Sequence, residues 1–375
     1  MKFQTELERI ASGAFDRFLE NTDPTAVKAA LSRGVTRLED MALLLSPGAQ
    51  GVLEEMARES KQLTRQHYGH TMNLYAPLYV SDYCVNQCTY CGFRVGNKHN
   101  RSKLEPQDIH REGKWLSEEG FRNVLLVSGE SRKHCSIEYL EEATRILTEY
   151  VPYVGIEIYP LEVDEYARLH RAGVESLALY QETYDRTIYA EVHPGGPKAD
   201  FDYRLEALER GCKGGFNAIG LGILVGIAPW RRDMLALAAQ GRWLERRYPG
   251  TRIGFSLPRM RPAAGMEPPK VIVSDREFVQ ALLALRLWVP AADITLSTRE
   301  TPAMRDGLIP LVINRISAGS CTAVGGYGQS EGGAEKQFEI SDDRDLKTMC
   351  AVLRTMGLDP VMNDWVRLQG VSEGA

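Results

Sequence analysis

Three cysteines crowd into "SDYCVNQCTYCGF", residues 81–93, as Cys84-x₃-Cys88-x₂-Cys91, and no fourth cysteine completes the run. Thiolates at this density suit zinc or iron. A structural zinc site is closed by four ligands, and His99 is a candidate for the fourth. The intervening "GFRVGNK", however, is long and is no standard zinc loop. An electron-carrying iron–sulfur centre also takes four protein ligands. Cys135 and Cys321 fall just past expected strand ends, within reach of such a site, whereas Cys212 and Cys350 fall in or near expected helices and read as packing residues. A third reading makes the vacancy purposeful: a cubane held by three cysteines keeps one iron open to bind a substrate or cofactor through nitrogen and oxygen.

Further residues able to do chemistry recur where β-rich runs end. The runs are 74–82, 123–130, 154–161, 176–183, 217–227, 252–260, 293–300 and 312–320. Their ends carry Ser81 and Asp82, Ser128 to Glu130, Glu157, Gln181 to Thr183, Arg259 and Arg261, Ser297 to Glu300, then Ser317 and Ser320. Core packing does not ask for these types, and their recurrence points to one shared site. Helical periodicity fills most of the intervals, as in "PQDIHREGKWLSEEG", "IEYLEEATRILTEY", "VDEYARLHRAG", "DFDYRLEALERGC", "RDMLALAAQGRWLERRY" and "DREFVQALLALRLWV". Alternating strands and helices predict a parallel sheet, and eight strands suit an α/β (β/α)₈ barrel with chemistry at the carboxyl ends of its strands. An open doubly wound sheet is the competing arrangement.

Residues 1–72 read as an N-terminal helical layer with Asp23, Thr36 and Ser46 as N-caps, residues 73–325 as the barrel, and residues 326–375 as a Gly-rich loop and helical tail packing on it. The formal charge of −5 offers no excess of cations for a phosphate backbone, so nucleic acid is not an expected partner. The N-terminus lacks the pattern of a signal peptide, and no apolar run is long enough to span a bilayer. Seven cysteines, an odd number with three crowded together, fit a reducing compartment, and the expected location is cytoplasmic.

With Tyr90 before its last cysteine and a barrel strand before its first, the motif resembles the radical S-adenosylmethionine (SAM) superfamily. The resemblance implies a [4Fe-4S] cluster on Cys84, Cys88 and Cys91, with SAM chelated at the open iron and cleaved to a 5′-deoxyadenosyl radical. "SGE" at 128–130 is similar to the superfamily's Gly-Gly-Glu element, with Ser128 in place of the first glycine, which puts Gly129 and Glu130 at the cofactor's ammonium. "RLEALE" from Arg204 resembles the segment whose arginine pairs with the cofactor carboxylate; a solvated helix charge is the plain alternative. Glu182 in "YQET" matches the position that meets the ribose. Glu157, Gln181, and Gly222 and Gly226 beside the adenine complete the cofactor group.

"NLYAPLYVSDYCVNQCTYCGF", "LLVSGE", "ALYQETY", "LPRMRP", "LSTRE" and "ISAGS…GGYG", continuing to "DWVRL" in the tail, together resemble the aromatic amino acid lyases of that superfamily. The branch indicated supplies the thiazole of thiamine by cleaving L-tyrosine at Cα–Cβ to 2-iminoacetate and 4-methylphenol. A maturase branch that also cleaves tyrosine carries a C-terminal extension with further cysteines, which this chain lacks; a tryptophan lyase shares the scaffold and stays open. Arg299 is the expected anchor for the substrate carboxylate, because a guanidinium grips a carboxylate through two parallel hydrogen bonds. Arg259 and Arg261 are its competitors, and Ser317 and Tyr79 match positions lining the amino acid pocket. The expected partners are a flavodoxin or ferredoxin-type electron donor, for which the basic "RVGNKHNR" is a candidate landing area, and thiazole synthase as a candidate recipient of the product.

Overall fold

The computed structural model describes residues 2–328 and 336–362. Within them lie nine strands: β1 (Thr71–Ser81), β2 (Asn123–Ser128), β3 (Tyr153–Glu157), β4 (Val174–Ala178), β5 (Ala218–Gly222), β6 (Arg252–Ser256), β7 (Asp293–Leu296), β8 (Arg315–Ser317) and β9 (Asp359–Val361). β1 to β8 pair in parallel in chain order, and β8 pairs with β1, so the sheet closes into the eight-stranded barrel that the alternating pattern predicts. β9 adds to the first residues of β1 from Thr71 to Asn73. The strands read as near-continuous apolar runs because both faces are covered, one by the barrel interior and one by helices.

Most predicted runs overshoot their strands. The run 176–183 yields a strand that ends at Ala178, and 217–227 one that ends at Gly222. The overshoot is chain that leaves the ladder to build the mouth of the barrel. "DFDYRLEALERGC" breaks at Glu206 into Phe201–Leu205 and Ala207–Lys213, and an unpredicted helix, Arg186–Val192, precedes it.

Helices Phe3–Ala11, Asp16–Leu19, Pro24–Ser32, Leu38–Leu45 and Leu53–Tyr68 form the N-terminal layer. Leu38–Leu45 buries nearly its whole surface against the barrel helices Trp230–Arg247 and Asp275–Trp288, which explains why "DMALLL" shows no polar face. Asp23 caps as expected, accepting from the Thr25 backbone N–H at 2.8 Å. Thr36 does not cap: Leu38–Leu45 starts one residue later, with the Asp40 carboxylate reaching back to the Arg37 N–H at 3.1 Å. Ser46 donates back to the Leu43 carbonyl at 2.7 Å and closes the preceding helix instead of opening the next. No described helix is long and apolar enough to cross a membrane.

One buried pair ties the barrel to the segment after β8. Arg305, on helix Pro302–Leu308, is fully buried, pairs with the Asp342 carboxylate, and donates to the Ser317 carbonyl at 2.5 Å. Arg305→Met leaves Asp342 to Arg344 alone and strips the Ser317 carbonyl of its donor. A loss of about 3 kcal/mol is expected, because an unpartnered buried charge costs more than the pair contributes. Chemical denaturation checks this, and an unchanged midpoint contradicts it.

Candidate active site

β1 ends at Ser81, and the chain turns across the barrel mouth as the cysteine loop. Its entry lies against Gly129: a Cβ there would stand 2.4 Å from the Tyr83 carbonyl oxygen, so only glycine lets the end of β2 and the loop pass each other. The Gly129 N–H donates to the Ser81 carbonyl at 2.7 Å. Arg101 fastens the far side, donating to the carbonyls of Asp82 at 2.6 Å, Phe93 at 2.7 Å, Arg94 at 2.6 Å and Asn97 at 3.4 Å. That part of the basic "RVGNKHNR" is therefore committed within the loop. His99 faces Asp82, Nε2 to Oδ2 at 3.1 Å, and does not join the cysteines.

Cys84, Cys88 and Cys91 all line one large cavity at the carboxyl end of the strands, which with its open mouth encloses about 1360 Å³. The thiols are free. Burial pushes Cys88 up to about 12 and Cys91 up to about 11, so these sulfurs become thiolates only beside a strong cation. Among the described residues no three His, Cys, Asp or Glu side chains form a group that could hold a metal ion. A cubane asks for less convergence than a single ion, because each thiolate binds a different iron. The donor set therefore fits a three-thiolate cluster better than zinc. Cys135 is fully buried, Cys321 is half-buried, and neither lines the cavity.

Beside the loop is a buried network of two carboxylates and two cations. Arg204 is 5 % exposed, which rules out a solvated helix charge; it donates to Glu130 Oε1 at 3.0 Å and to the Tyr180 carbonyl at 2.7 Å. Asn86 donates to the other Glu130 oxygen at 2.8 Å and accepts from the Lys198 N–H at 2.9 Å. Lys198 Nζ reaches Glu182 at 2.7 Å. Burial alone would raise the Glu130 carboxyl, but Arg204 and Lys198, with hydrogen bonds from Arg204 and Asn86, outweigh it and hold it below the usual carboxylate range. Glu182 reaches the site through a left-handed backbone, φ 72°, a strain that non-glycine residues keep where a site needs it.

Tyr90 donates to His193 Nε2 at 2.7 Å, and His193 Nδ1 faces the Tyr189 carbonyl at 2.9 Å, which assigns the ring proton to Nδ1. Burial, with Lys198 and Arg204 nearby, pushes His193 down to about 2, so it stays neutral.

On the opposite wall, Arg299 enters the cavity from beyond β7. Its guanidinium lies 3.3 Å from the Phe338 ring centre and makes one long contact, 3.5 Å, to the Arg259 carbonyl. No carboxylate pairs with it among the described residues, and burial pushes it below the usual guanidinium range. Arg259 is not a competitor: it pairs with Glu300 and Asp275 and stays out of the cavity. Arg261 lines the cavity with Glu300 at 3.4 Å. Tyr79 donates to Gln337 at 2.8 Å, Ser317 accepts from the Thr298 N–H at 3.2 Å, and the buried Ser320 hydroxyl has no partner among the described residues.

Three expected cofactor residues do not reach this cavity. Gln181 turns outward and donates to the Phe201 carbonyl at 3.4 Å. Gly222 makes room for a neighbour: a Cβ would meet the Tyr180 ring at 2.5 Å. Gly226, with φ 118°, serves a turn packed on Met260 and Pro269. Glu157 also lines the cavity and feels the charges of Glu182, Arg299, Lys198 and Arg204, but bonds to none of them among the described residues. Asn86 and Lys198 were not anticipated. Asn86 stands inside the cysteine motif and was open to reading; Lys198, in "GGPKAD", carries no local signal.

Two family models match: the Radical SAM superfamily over residues 78–237 and the Biotin and Thiamin Synthesis associated domain over residues 256–359. The chain is 41% identical over 340 residues to 2-iminoacetate synthase of Escherichia coli strain K12, covering 90% of each, and 38% identical over 340 residues to the Salmonella typhimurium protein of that name. Its fold superposes on the crystal structure of HydG, a maturase of the [FeFe]-hydrogenase, with a TM-score of 0.87 at 32% identity, covering 98% of this chain and 81% of that one.

Proposed function

The chain belongs to the 2-iminoacetate synthase family within the radical SAM superfamily, and from that premise we propose that it cleaves L-tyrosine at Cα–Cβ to 2-iminoacetate and 4-methylphenol for thiazole assembly in the cytoplasm. The observation that carries the substrate reading is Arg299, a half-buried guanidinium that pairs with no carboxylate among the described residues, in the cavity that also holds the three cysteines. An amino acid carboxylate is the natural partner for it.

When bound, the [4Fe-4S] cluster and SAM would supply a 5′-deoxyadenosyl radical able to take a hydrogen atom from the substrate amino group; Cα–Cβ scission would then release 2-iminoacetate, and the departing phenolic half would take up one electron from the external reductant and one proton to become 4-methylphenol. Cys84, Cys88 and Cys91 would hold the cluster. Glu130 offers the cofactor ammonium a carboxylate already kept ionised by Arg204, and Arg204 offers its carboxylate a cation. Gly129 and Ser128 border that contact, and Glu182, held by Lys198, faces the ribose. Arg299 fixes the substrate carboxylate, with Tyr79 and Ser317 beside it, so that the amino group is held toward the cysteine loop; orientation of this kind is worth several orders of magnitude in rate. Phe93, Met260, Met266 and Phe338 wall the cavity with side chains that shield a radical from water.

An acidic flavodoxin or ferredoxin-type protein is the proposed reductant. Val85, inside the cysteine loop, and Val95, just after it beside Arg94 and Lys98, are 46% and 48% exposed and offer a mixed apolar and basic landing area. Thiazole synthase is the proposed recipient of 2-iminoacetate. Anaerobic incubation with each aromatic amino acid tests the reading. Tyrosine is expected to give 4-methylphenol and tryptophan no indole product above background; the reverse outcome assigns the tryptophan lyase reading.

A further inference from the structure

The substrate's phenol hydroxyl needs a partner, and one carboxyl in the cavity has none. Of the three carboxylates lining it, Glu130 is held by Arg204 and Asn86, and Glu182 by Lys198. Glu157 makes no hydrogen bond or ion pair among the described residues. The cations mirror this. Lys198, Arg204 and Arg261 each pair with a carboxylate, and Arg299 pairs with none among the described residues.

The topology sets the two unpaired groups opposite each other. Glu157 ends β3 and Arg299 follows β7, four strands away in a ring of eight, which is the far side of the barrel. Glu157 pairs in register with Val127, itself a cavity residue, so its side chain points inward. It also lies deeper than Glu130 and Glu182, which come from segments beyond the ends of β2 and β4. Leu125, Val127 and Ala178 line the cavity on its side, and its charge acts on Tyr75, Tyr79 and Tyr180. Glu157 and Arg299 feel each other's charge across this interior without an ion pair, and Tyr79 and Tyr180 act on Arg299 as well, so an aromatic ring anchored at Arg299 is directed toward Glu157.

We propose that Glu157 accepts a hydrogen bond from the phenol hydroxyl of the bound substrate and so makes the site select tyrosine over phenylalanine. The proposal rests on the tyrosine reading given above. Burial and the charge of Glu182 push the Glu157 carboxyl up to about 7, as suits a group waiting for a partner. A charge-assisted bond to the hydroxyl relieves that burial, whereas phenylalanine leaves it unrelieved, and sites built to bond a hydroxyl reject the analogue lacking it.

The test is equilibrium dialysis of L-tyrosine and L-phenylalanine against cluster-loaded protein with SAM, anaerobically and without reductant, so that nothing turns over. The unaltered protein is expected to prefer tyrosine by about tenfold or more. Glu157→Leu is expected to bring the two affinities together, with phenylalanine binding held within about threefold. Glu157→Gln, isosteric and still able to accept a hydrogen bond, is expected to lose about threefold or more of the preference, and it carries the test alone if the leucine variant does not fold. A preference unchanged in the variants overturns the proposal. So does equal loss of both ligands, which assigns Glu157 to the α-ammonium group. A separate arm with reductant reads 4-methylphenol from the unaltered protein: its absence defeats the tyrosine reading itself, and its presence alongside an unchanged preference defeats only the role of Glu157.

Discussion

Cys88→Ala is expected to reduce 4-methylphenol and 5′-deoxyadenosine formation to background and to leave protein that no longer retains iron and sulfide through desalting. Cys88 is 5% exposed and sits between the other two thiols on a loop fastened at both ends, by Gly129 against Tyr83 and by Arg101 on four carbonyls. Removing one of three ligands leaves a cluster iron with no protein donor, and no spare thiol lines the cavity to replace it. The informative control is Cys321→Ala. Cys321 follows β8 and is half-buried, and its sulfur faces the Ala323 carbonyl at 4.0 Å. It is expected to keep the full iron and sulfide content and activity. Loss of iron in that variant would show a fourth protein ligand and remove the open coordination position on which the proposed chemistry depends.

Arg299→Met is expected to lower kcat/KM for tyrosine by about 10²- to 10³-fold, or ~3–4 kcal/mol, the usual cost of truncating one partner of a buried charge pair. Iron and sulfide should be unchanged, because the guanidinium meets Phe338 and the Arg259 carbonyl and bonds to none of the three cysteines. Arg299→Lys should recover little, since an ammonium cannot reproduce the planar two-bond grip. A second signature separates this role from a structural one. Without substrate, Arg299 is half-buried and pairs with no carboxylate among the described residues, so its desolvated charge opposes folding. The methionine variant should therefore melt at the same temperature or higher while losing activity, as expected where a site is kept at the expense of stability. A lower melting temperature with proportionate activity loss contradicts the anchoring role.

The barrel was legible because parallel strands buried on both faces cannot hide: the eight runs place every barrel strand. That the cysteine triplet, Glu130 and Arg299 share one cavity was legible because each breaks an apolar pattern near a strand end. What escaped depended on contacts between distant segments. Lys198 stands on a short turn of 3₁₀-helix, Pro197–Ala199, and matters only because Glu182, sixteen residues earlier, turns to meet it. Gln181 and Glu182 are neighbours in sequence, yet the left-handed backbone at Glu182 sends one outward and the other into the site. Gly222 looked like room for a ligand and is room for Tyr180. Arg204 could not be told from a surface charge until its burial and its bond to Glu130 were known. The tail "DWVRL" lies outside the described residues.

The decisive measurement is an anaerobic turnover of L-tyrosine in D₂O with reconstituted protein, SAM and a reductant, with products read by mass spectrometry. Abstraction from the exchangeable amino group predicts one deuterium in each 5′-deoxyadenosine formed, and 4-methylphenol in matching amount. 5′-Deoxyadenosine without deuterium, or formed with no 4-methylphenol, would contradict a tyrosine lyase that starts from the substrate nitrogen.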